Sequence, residues 1–386
     1  MTEQPADNSL RSRLSALTPR RFFEEQGRVT SWIEVILLYV VCILGALMLS
    51  AMLVAATGGS WRAVFGAMLD GSVRNPGRIG TTIGVAVPLL IVALGTIINS
   101  RAGLVNIGQE GQLLIGAAFA AYAGVELSGP GPLVIVALCV AGIIGGAIWA
   151  GIAAVLKYWR AVPEVLSTLL MVTIAAQLVG YGLKNQWLLL APSEGRANRQ
   201  QISEQLAADR RVPRPTWFGN EFPISAVFAI ALAVLVALMF AMAVVGYRLR
   251  MLGANPRTAR RAGVSDTRYG GAALLASGGF AGMAGAFMIA GGDFGNYTLV
   301  PGFSSNIGWT GLLVALVARQ RAIAAIGVAF VFAGLRTGSG FIAATGVERR
   351  ITNVVEGLLV LALLIPPALL FIRDRRRALA VARERA

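Results

Sequence analysis

The chain has 386 residues, of which 56% are hydrophobic and only 14% are charged, and its mean hydropathy is +0.69. This composition excludes an ordinary soluble domain, because the apolar runs are long enough to cross a bilayer repeatedly. The net charge of +15 does not indicate nucleic acid binding, since the basic residues lie between the apolar runs and in the tails. Membrane orientation explains that placement better.

The apolar runs predict a polytopic helical membrane protein with about ten spans, some of them broken. The predicted spans are 33–56, 80–98, 104–124, 132–156, 164–188, 223–246, 270–292, 304–318, 322–338 and 351–372. The spans 304–318 and 322–338 are short of the roughly 20 residues that cross the hydrocarbon. Glycines invite breaks in both, so either is a candidate half-helix and the count lies between eight and ten.

The transmembrane domain is predicted over 33–372, between a cytoplasmic N-terminal tail, 1–32, and a cytoplasmic C-terminal tail, 373–386. With both tails inside the cell, most Lys and Arg residues fall on the cytoplasmic side, as the positive-inside rule requires. The first tail is polar and the first apolar run is long, which predicts no cleavable signal peptide.

The third predicted span begins with N-I-G-Q-E-G-Q, which places four polar side chains in an apolar, glycine-rich run. They are Asn106, Gln109, Glu110 and Gln112. A charged side chain at the centre of a membrane helix costs roughly 2.5–3.5 kcal/mol on insertion scales, so we expect Glu110 to face a cavity or a partner. The four residues are candidates for a substrate path. The alternative is a buried cluster that only holds helices together, with Glu110 paired to Arg101 or to a backbone amide.

The segment 189–222 is predicted to lie outside the membrane, opposite the cytoplasmic tails. Its five arginines lie beside acidic residues, and we expect such a rim either to dock an extracytoplasmic binding protein or to be a solvated insertion. The arginines are Arg196, Arg199, Arg210, Arg211 and Arg214. Long segments translocate despite their positive charge.

The cytoplasmic segment 247–268 contains G-A-N-P-R-T-A-R-R-A-G-V-S. Asn255 is placed to cap a short helix that begins at Pro256, and Gly263 to supply the left-handed residue beyond its end. Arg257, Arg260 and Arg261 would give this helix a cationic face. A bare loop between spans would not need such defined ends. The alternative is an interfacial helix bound to anionic lipid.

A second copy of the polar motif follows 200 residues after the first, where Asn306–Gly311 repeats N-I-G-x-x-G. Asn306, Trp309 and Thr310 are therefore further candidates for the path, while Asp293 and Glu356 are weaker ones. In the predicted orientation the two copies run in opposite directions, which an inverted repeat requires. The sequence thus predicts an all-α polytopic membrane protein in inverted pseudo-symmetric repeats.

Catalytic and metal sites are not predicted. The chain has no G-x-x-x-x-G-K-[ST] phosphate loop, no His and no G-x-S-x-G elbow, so it is not expected to be an enzyme or to bind a cofactor. Its carboxylates show no metal-ligand spacing. Cys42 and Cys139 both fall within predicted spans, which gives no disulfide framework.

The N-I-G-Q-E-G-Q run together with the G-A-N-P-R-T-A-R-R-A-G-V loop closely resembles the permease subunits of bacterial ABC importers. Within the superfamily of branched-chain amino acid, ribose and nucleoside permeases, the chain is most similar to the nucleoside permeases that work with basic-membrane-protein-type lipoproteins. The resemblance covers roughly residues 80 to 370. It implies a fold of pseudo-symmetric helix repeats around a central path.

The resemblance also implies partners and a location. The helix from about Pro256 to Ala262 is expected to sit in a cleft of a cytoplasmic ABC ATPase, which would carry the ATP and Mg²⁺. A second, related permease and an extracytoplasmic substrate-binding lipoprotein are expected to accompany the chain. With membrane lipid around it, the protein would lie in the bacterial cytoplasmic (inner) membrane.

The substrate is left open between a nucleoside and a sugar. Glu164, Val165, Ser167 and Thr168 fit the N-E-V-x-x-T pattern of the nucleoside branch, but Pro163 replaces its Asn. A later Asn-Tyr pair of that branch falls on Val172 and Thr173. An ion-coupled secondary transporter also shows inverted repeats, but it does not explain the capped helix as directly as ATPase docking does.

Overall fold

The computed structural model describes residues 32–56, 58, 60–192 and 201–342, together with part of the segment 354–376. In that last segment the described residues are helical; they are 354, 355, 357, 358, 361, 362, 364–366, 368–370, 372, 373 and 376. The chain divides into two compact units. One comprises 1–51 and 358–386, and the other, which holds both N-I-G motifs, comprises 52–357.

The described helices, numbered in chain order, are α1 (Trp32–Ala56), α2 (Trp61–Leu69), α3 (Arg78–Arg101), α4 (Gln109–Glu126), α5 (Gly131–Arg160), α6 (Glu164–Gly182), α7 (Ile224–Met242), α8 (Val244–Ala254), α9 (Pro256–Arg261), α10 (Asp266–Gly291), α11 (Ile307–Val317) and α12 (Ala322–Ile342). A π-helical turn, Asp70–Arg74, extends α2, and a 3₁₀ turn covers Ala208–Arg210. A hairpin pairs β1 (Thr216–Trp217) with β2 (Asn220–Glu221) in antiparallel register, Thr216 opposite Glu221.

Seven of the helices in the described part of the chain are long and apolar enough to cross a membrane: α1, α3, α5, α6, α7, α10 and α12. This agrees with a polytopic all-α membrane protein, but the predicted count of ten is not confirmed. The short apolar helix α11 has 11 residues, as a half-helix would. The prediction for 322–338 is corrected, because α12 is an uninterrupted helix of 21 residues through Gly327 and Gly334.

Several predicted boundaries also differ from the structure. Helix α4 begins at Gln109 and not at 104, because residues 104–107 lack helical structure. Helix α6 ends at Gly182, short of the predicted 188. The predicted span 223–246 contains a break at Ala243, where the backbone is extended between α7 and α8. Helix α2 was not predicted from the sequence, since its nine residues are too few for a span.

Helices α3 and α10 form the centre of the unit 52–357, with most of their residues buried. Helix α10 packs closely against α4 and α5 through glycines. A Cβ on Gly142 of α5, or on Gly116 of α4, would lie 2.8 Å from Gly282 O of α10. Small residues let membrane helices approach until their backbones touch. The abundance of glycine in these helices is therefore explained by packing.

Candidate functional site

Three side chains of the first N-I-G motif form one buried hydrogen-bonded cluster. Asn106 Nδ2 donates to Gln112 Oε1 (2.8 Å) and to Ser277 Oγ (3.0 Å), and Gln112 Nε2 donates back to Asn106 Oδ1 (3.1 Å). Gln109 Nε2 donates to the same Ser277 hydroxyl (3.1 Å). Asn106, Gln109 and Gln112 are at most 3% exposed. Because a buried amide is costly unless it is paired, the cluster ties the start of α4 to α10.

The cluster extends to α3 through Gln109. Thr96 Oγ1 donates to Gln109 Oε1 (2.6 Å), and Gln109 Nε2 donates to Val92 O (3.2 Å). Thr96 and Ser277 were missed by the sequence analysis. Thr96 follows Gly95 and Ser277 precedes Gly278, and both lie inside apolar helices. A hydroxyl group in hydrocarbon needs a hydrogen-bond partner, and this was the signal in the sequence that could have identified them.

Glu110 joins the two N-I-G motifs. Its Oε1 accepts the backbone N–H of Asn306 (3.0 Å), and its Oε2 accepts that of Gly308 (2.6 Å). These donors lie at the N-terminus of α11, where the first N–H groups have no partner within the helix. Glu110 also lies in the first turn of α4. Two helix N-termini thus converge on one carboxylate, and their dipoles favour its negative charge.

The carboxylate therefore has backbone partners. Of the two pairings considered for Glu110, the structure has the one with backbone amides, since Arg101 Nη2 donates instead to Gln320 O (3.0 Å). Glu110 is 5% exposed. It holds α11 against α4, and in this arrangement its two oxygens are occupied.

The second N-I-G motif presents its side chains differently. Asn306 precedes α11 in the left-handed conformation, with φ of 65°, and makes no side-chain cap. Its side chain is exposed, whereas Trp309 and Thr310 are half-buried. Thr310 Oγ1 donates to Asn306 O (2.9 Å). Because Glu110 performs the capping that an Asn side chain usually performs, the Asn306 amide is left to face the surroundings.

The two motifs cross at a glycine. A Cβ on Gly308 would lie 2.5 Å from the Cα of Glu110, a separation that no real side chain tolerates. The first motif has its own close contact with α6, since a Cβ on Gly108 would lie 2.7 Å from Thr168 O. Gly308 and Gly108 are therefore required by backbone contacts with other helices.

The N-terminal turn of α6 supports the first motif from the other side. Glu164 Oε1 accepts the N–H of Val105 (3.4 Å), and Thr168 Oγ1 accepts the N–H of Ile107 (3.3 Å). Lys157 Nζ lies 2.7 Å from Glu164 Oε2. The E-V-x-x-T pattern and the N-I-G pattern, 50 residues apart or more in the sequence, are thus one structural unit.

The predicted short helix in 247–268 is present as α9. Asn255 Oδ1 accepts the N–H groups of Arg257 (3.0 Å) and Thr258 (3.2 Å), Pro256 is the first helical residue, and Gly263 has φ of +80°. These features confirm the predicted cap, start and stop. The three basic side chains on the helix are exposed, while one side of it is anchored by a buried alanine: Arg257, Arg260, Arg261 and Ala259.

The chain preceding α9 touches the turn that leads into the first N-I-G motif. A Cβ on Gly103 would lie 2.9 Å from Gly253 Cα. This backbone contact leaves no room for a side chain on either residue. Helix α8, which leads into α9, is therefore in direct contact with the turn that precedes Asn106.

The described part of 189–222 is anchored on the helices. Leu206 and Val212 are buried in a cluster with Leu138 and Ala290. Arg210 Nη1 donates to Gly124 O (2.8 Å). Leu206, Arg210 and Val212 therefore hold this part of the segment against the helices.

Asp293, one of the weaker path candidates, belongs to that anchoring. Its carboxylate pairs with Arg214. Burial raises the pKa of the Asp293 carboxyl above its ordinary value, and the Arg214 guanidinium acts in the opposite direction. Glu356, Arg196 and Arg199 lie outside the described residues.

Comparison with known proteins agrees with this architecture. A glucose ABC transporter permease of Haloferax volcanii is 29% identical over 339 residues, which cover 84% of this chain and 86% of that protein. A guanosine ABC transporter permease of Bacillus subtilis is 26% identical, with 88% of this chain and 96% of that protein covered. A nucleoside ABC transporter permease of Lactococcus lactis is 24% identical, with 75% and 79% covered. No solved structure matches the chain.

A family model described as the permease component of branched-chain amino acid transport systems matches residues 78–364. This range holds both N-I-G motifs and α9, and it covers well over half of the chain. The resemblance to ABC permeases is thereby confirmed. Members of this family are the transport components of their systems and work with a separate ATPase and a substrate-binding protein. The chain belongs to the family of permease components of branched-chain amino acid transport systems, and it is a multi-pass transport subunit and not an enzyme.

Proposed function

We propose that this chain forms the translocation path of an ABC importer for nucleosides, and that the first turn of α11 contacts the solute. The observation that supports the proposal is that Glu110, and not Asn306, caps α11. The Asn306 side chain is therefore exposed and free of this capping role. An amide and the edge or face of a half-buried indole, Trp309, are suited to a heterocyclic base and to hydroxyl groups.

The substrate class rests on chemistry and on relatives. The guanosine and nucleoside permeases among the relatives favour a nucleoside. The glucose permease, which is similar over most of both chains, favours a sugar as the second candidate. Both solutes carry hydroxyl groups, but only the nucleoside offers a π-face for Trp309. Family membership favours either of them over an ion-coupled transporter.

The buried residues of the first motif take a different part in the proposal. Asn106, Gln109, Glu110 and Gln112 lie buried behind the path, and their hydrogen bonds hold the first turns of α4 and α11 in place. A solute that replaced any of these bonds would have to compensate for a buried, unpaired amide or carboxylate. The solute therefore passes along the exposed side chains of the second motif.

The energy for transport is proposed to enter through α9. In the orientation favoured by the basic residues, α9 faces the cytoplasm, and its exposed arginines dock into a cleft of the ATPase that carries ATP and Mg²⁺. The contact between Gly253 and Gly103 then links the docked helix to the first motif. A second, related permease completes the path, and an extracytoplasmic lipoprotein delivers the solute near 201–222.

Uptake of radiolabelled guanosine and glucose by cells that express the complete importer tests the proposal. We expect guanosine uptake, and a Trp309→Ala variant with its KM for guanosine raised about tenfold, because stacking of a base on an aromatic ring contributes roughly 1–3 kcal/mol. Trp159→Ala is the matched control, since Trp159 is 75% exposed at the far end of α5. Uptake of glucose alone, or equal KM values for the two variants, would contradict the proposal.

A further inference from the structure

A groove on the unit 52–357 is lined almost entirely by apolar side chains and has a volume of about 390 Å³. Helices α3, α7, α8 and α10 form its walls. Its lining includes Ile98, Leu232, Met239, Leu249, Ala272 and Phe280. Tyr269 provides the polar side chain at one end. Water would gain few hydrogen bonds in such a groove, whereas a hydrocarbon chain would be solvated in it as well as in the bilayer.

Arginines surround the end of the groove at which Tyr269 lies. The Arg248 guanidinium contacts the Tyr269 hydroxyl. Arg248 and Arg250 flank Leu249, a lining residue. Arg101 lies one turn beyond Ile98 on α3, and its guanidinium carbon is 5.9 Å from the ring centre of Phe240, next to Met239 on α7. The apolar groove therefore opens toward a concentration of positive charge.

This charge is not neutralised by carboxylates of the described residues. The ion pairs found there are those of Arg74, Lys157 and Arg214. Arg101 Nη2 donates to the carbonyl of Gln320, which precedes Arg321, and the carbonyl of Arg101 lies against Gly253, about one turn after Arg250 on α8. Arg101 Nε is also buried without a hydrogen-bond partner among the described residues. Like charges gathered in this way, with a donor left over, are stabilised by an anion.

We propose that this groove binds an anionic phospholipid, with one acyl chain between α7, α8 and α10 and the phosphate group beside Arg101, Arg248 and Arg250. Basic pockets between membrane helices on the cytoplasmic side recognise anionic head groups through the same combination of charge and apolar surface. Arginine is suited to the task because its planar guanidinium binds phosphate oxygens in pairs. The Tyr269 hydroxyl adds a further polar contact at the boundary between head group and chain. This site does not depend on which solute the importer carries.

Native mass spectrometry of the full chain with its partner subunits tests the site. The probes are phosphatidylglycerol and phosphatidylcholine with identical acyl chains. We expect selective retention of phosphatidylglycerol, and an Arg248→Gln/Arg250→Gln double variant that binds it about 30-fold more weakly, since each basic residue near an anionic lipid contributes roughly a fivefold factor. Arg160→Gln is the matched control, because Arg160 is an exposed arginine at the end of α5, a helix that contributes no residue to the lining of the groove.

A second variant separates the acyl chain from the head group. Ala272 lies at an exposed position in the groove, so Ala272→Phe fills the groove and leaves every arginine in place. We expect it to lose phosphatidylglycerol, whereas Leu275→Phe, on a part of α10 outside the groove, retains the lipid. Equal retention of phosphatidylcholine would overturn the proposal, as would unchanged binding of phosphatidylglycerol in the Ala272→Phe protein.

Discussion

The two N-I-G-x-x-G motifs have nearly the same residues but opposite surroundings. In the first, Asn106 and its neighbouring amides are buried and hydrogen-bonded to one another and to Ser277. In the second, Asn306 is exposed at the N-terminus of α11, and its backbone N–H is held by Glu110 of the first motif. One motif therefore acts as a support and the other as a surface. A repeated sequence pattern specifies a backbone shape, but not which copy meets the solute.

Removal of Glu110 should have the largest effect on uptake, because this residue connects the two motifs. Glu110→Ala leaves the N–H groups of Asn306 and Gly308 without an acceptor, and hydrogen bonds to a charged group contribute roughly 1.5–3 kcal/mol each. We expect uptake to fall by more than tenfold while the complex still assembles, measured by transport and by size-exclusion chromatography. Glu110→Gln, which retains one acceptor oxygen, should be intermediate. Glu126→Ala, at the exposed end of the same helix, is the control; equal loss of folded complex and uptake would contradict the prediction.

A methyl group at the crossing of the two motifs should have the next largest effect. In Gly308→Ala the added carbon meets the backbone of Glu110, and such overpacking costs about 1–3 kcal/mol. We expect a lower melting temperature of the detergent-solubilised complex and reduced uptake. Gly327→Ala is the control, because a Cβ there has nothing within 4 Å and alanine favours the helix. If both variants were equally stable, the proposed contact would be wrong.

Loss of the Ser277 hydroxyl tests whether the first motif has a supporting role. Ser277→Ala deprives Asn106 and Gln109 of a shared acceptor, and a buried donor left unpaired costs about 1–3 kcal/mol. We expect a lower melting temperature with an unchanged KM for the transported solute. A changed KM at unchanged stability would instead place this cluster in contact with the solute.

The smallest effect on stability is expected at Asn306. Asn306→Gly removes the side chain and retains the left-handed backbone, because glycine adopts positive φ without steric cost. We expect the melting temperature to stay constant and the KM to rise several-fold, measured in the same uptake assay. Asn306→Ala should give the same KM but a lower stability than Asn306→Gly, since a Cβ in this left-handed conformation costs roughly 1–2 kcal/mol and glycine has none. An unchanged KM in both variants would remove Asn306 from the path.

The sequence predicted most local features of the molecule correctly. Asn255, Pro256 and Gly263 predicted α9 with its cap, start and stop, because capping depends on residues only a few positions apart. The short span near Asn306 was also recognised. By contrast, the continuity of α12 through Gly334 was not predicted. Whether a glycine interrupts a helix depends on what packs against the helix at that position.

Composition, span pattern and the capped helix were thus determined by the sequence itself, because hydrophobic length and local capping act within one segment. The tertiary structure alone decided that Glu110 caps α11, since the two are almost 200 residues apart. From the sequence, either a backbone amide or Arg101 was an equally suitable partner for the Glu110 carboxylate. It also decided that Thr96 and Ser277 complete the buried cluster. A polar side chain in an apolar helix indicates that a hydrogen-bond partner is needed. Only the packing of α3, α4, α10 and α11 determines which partner it has.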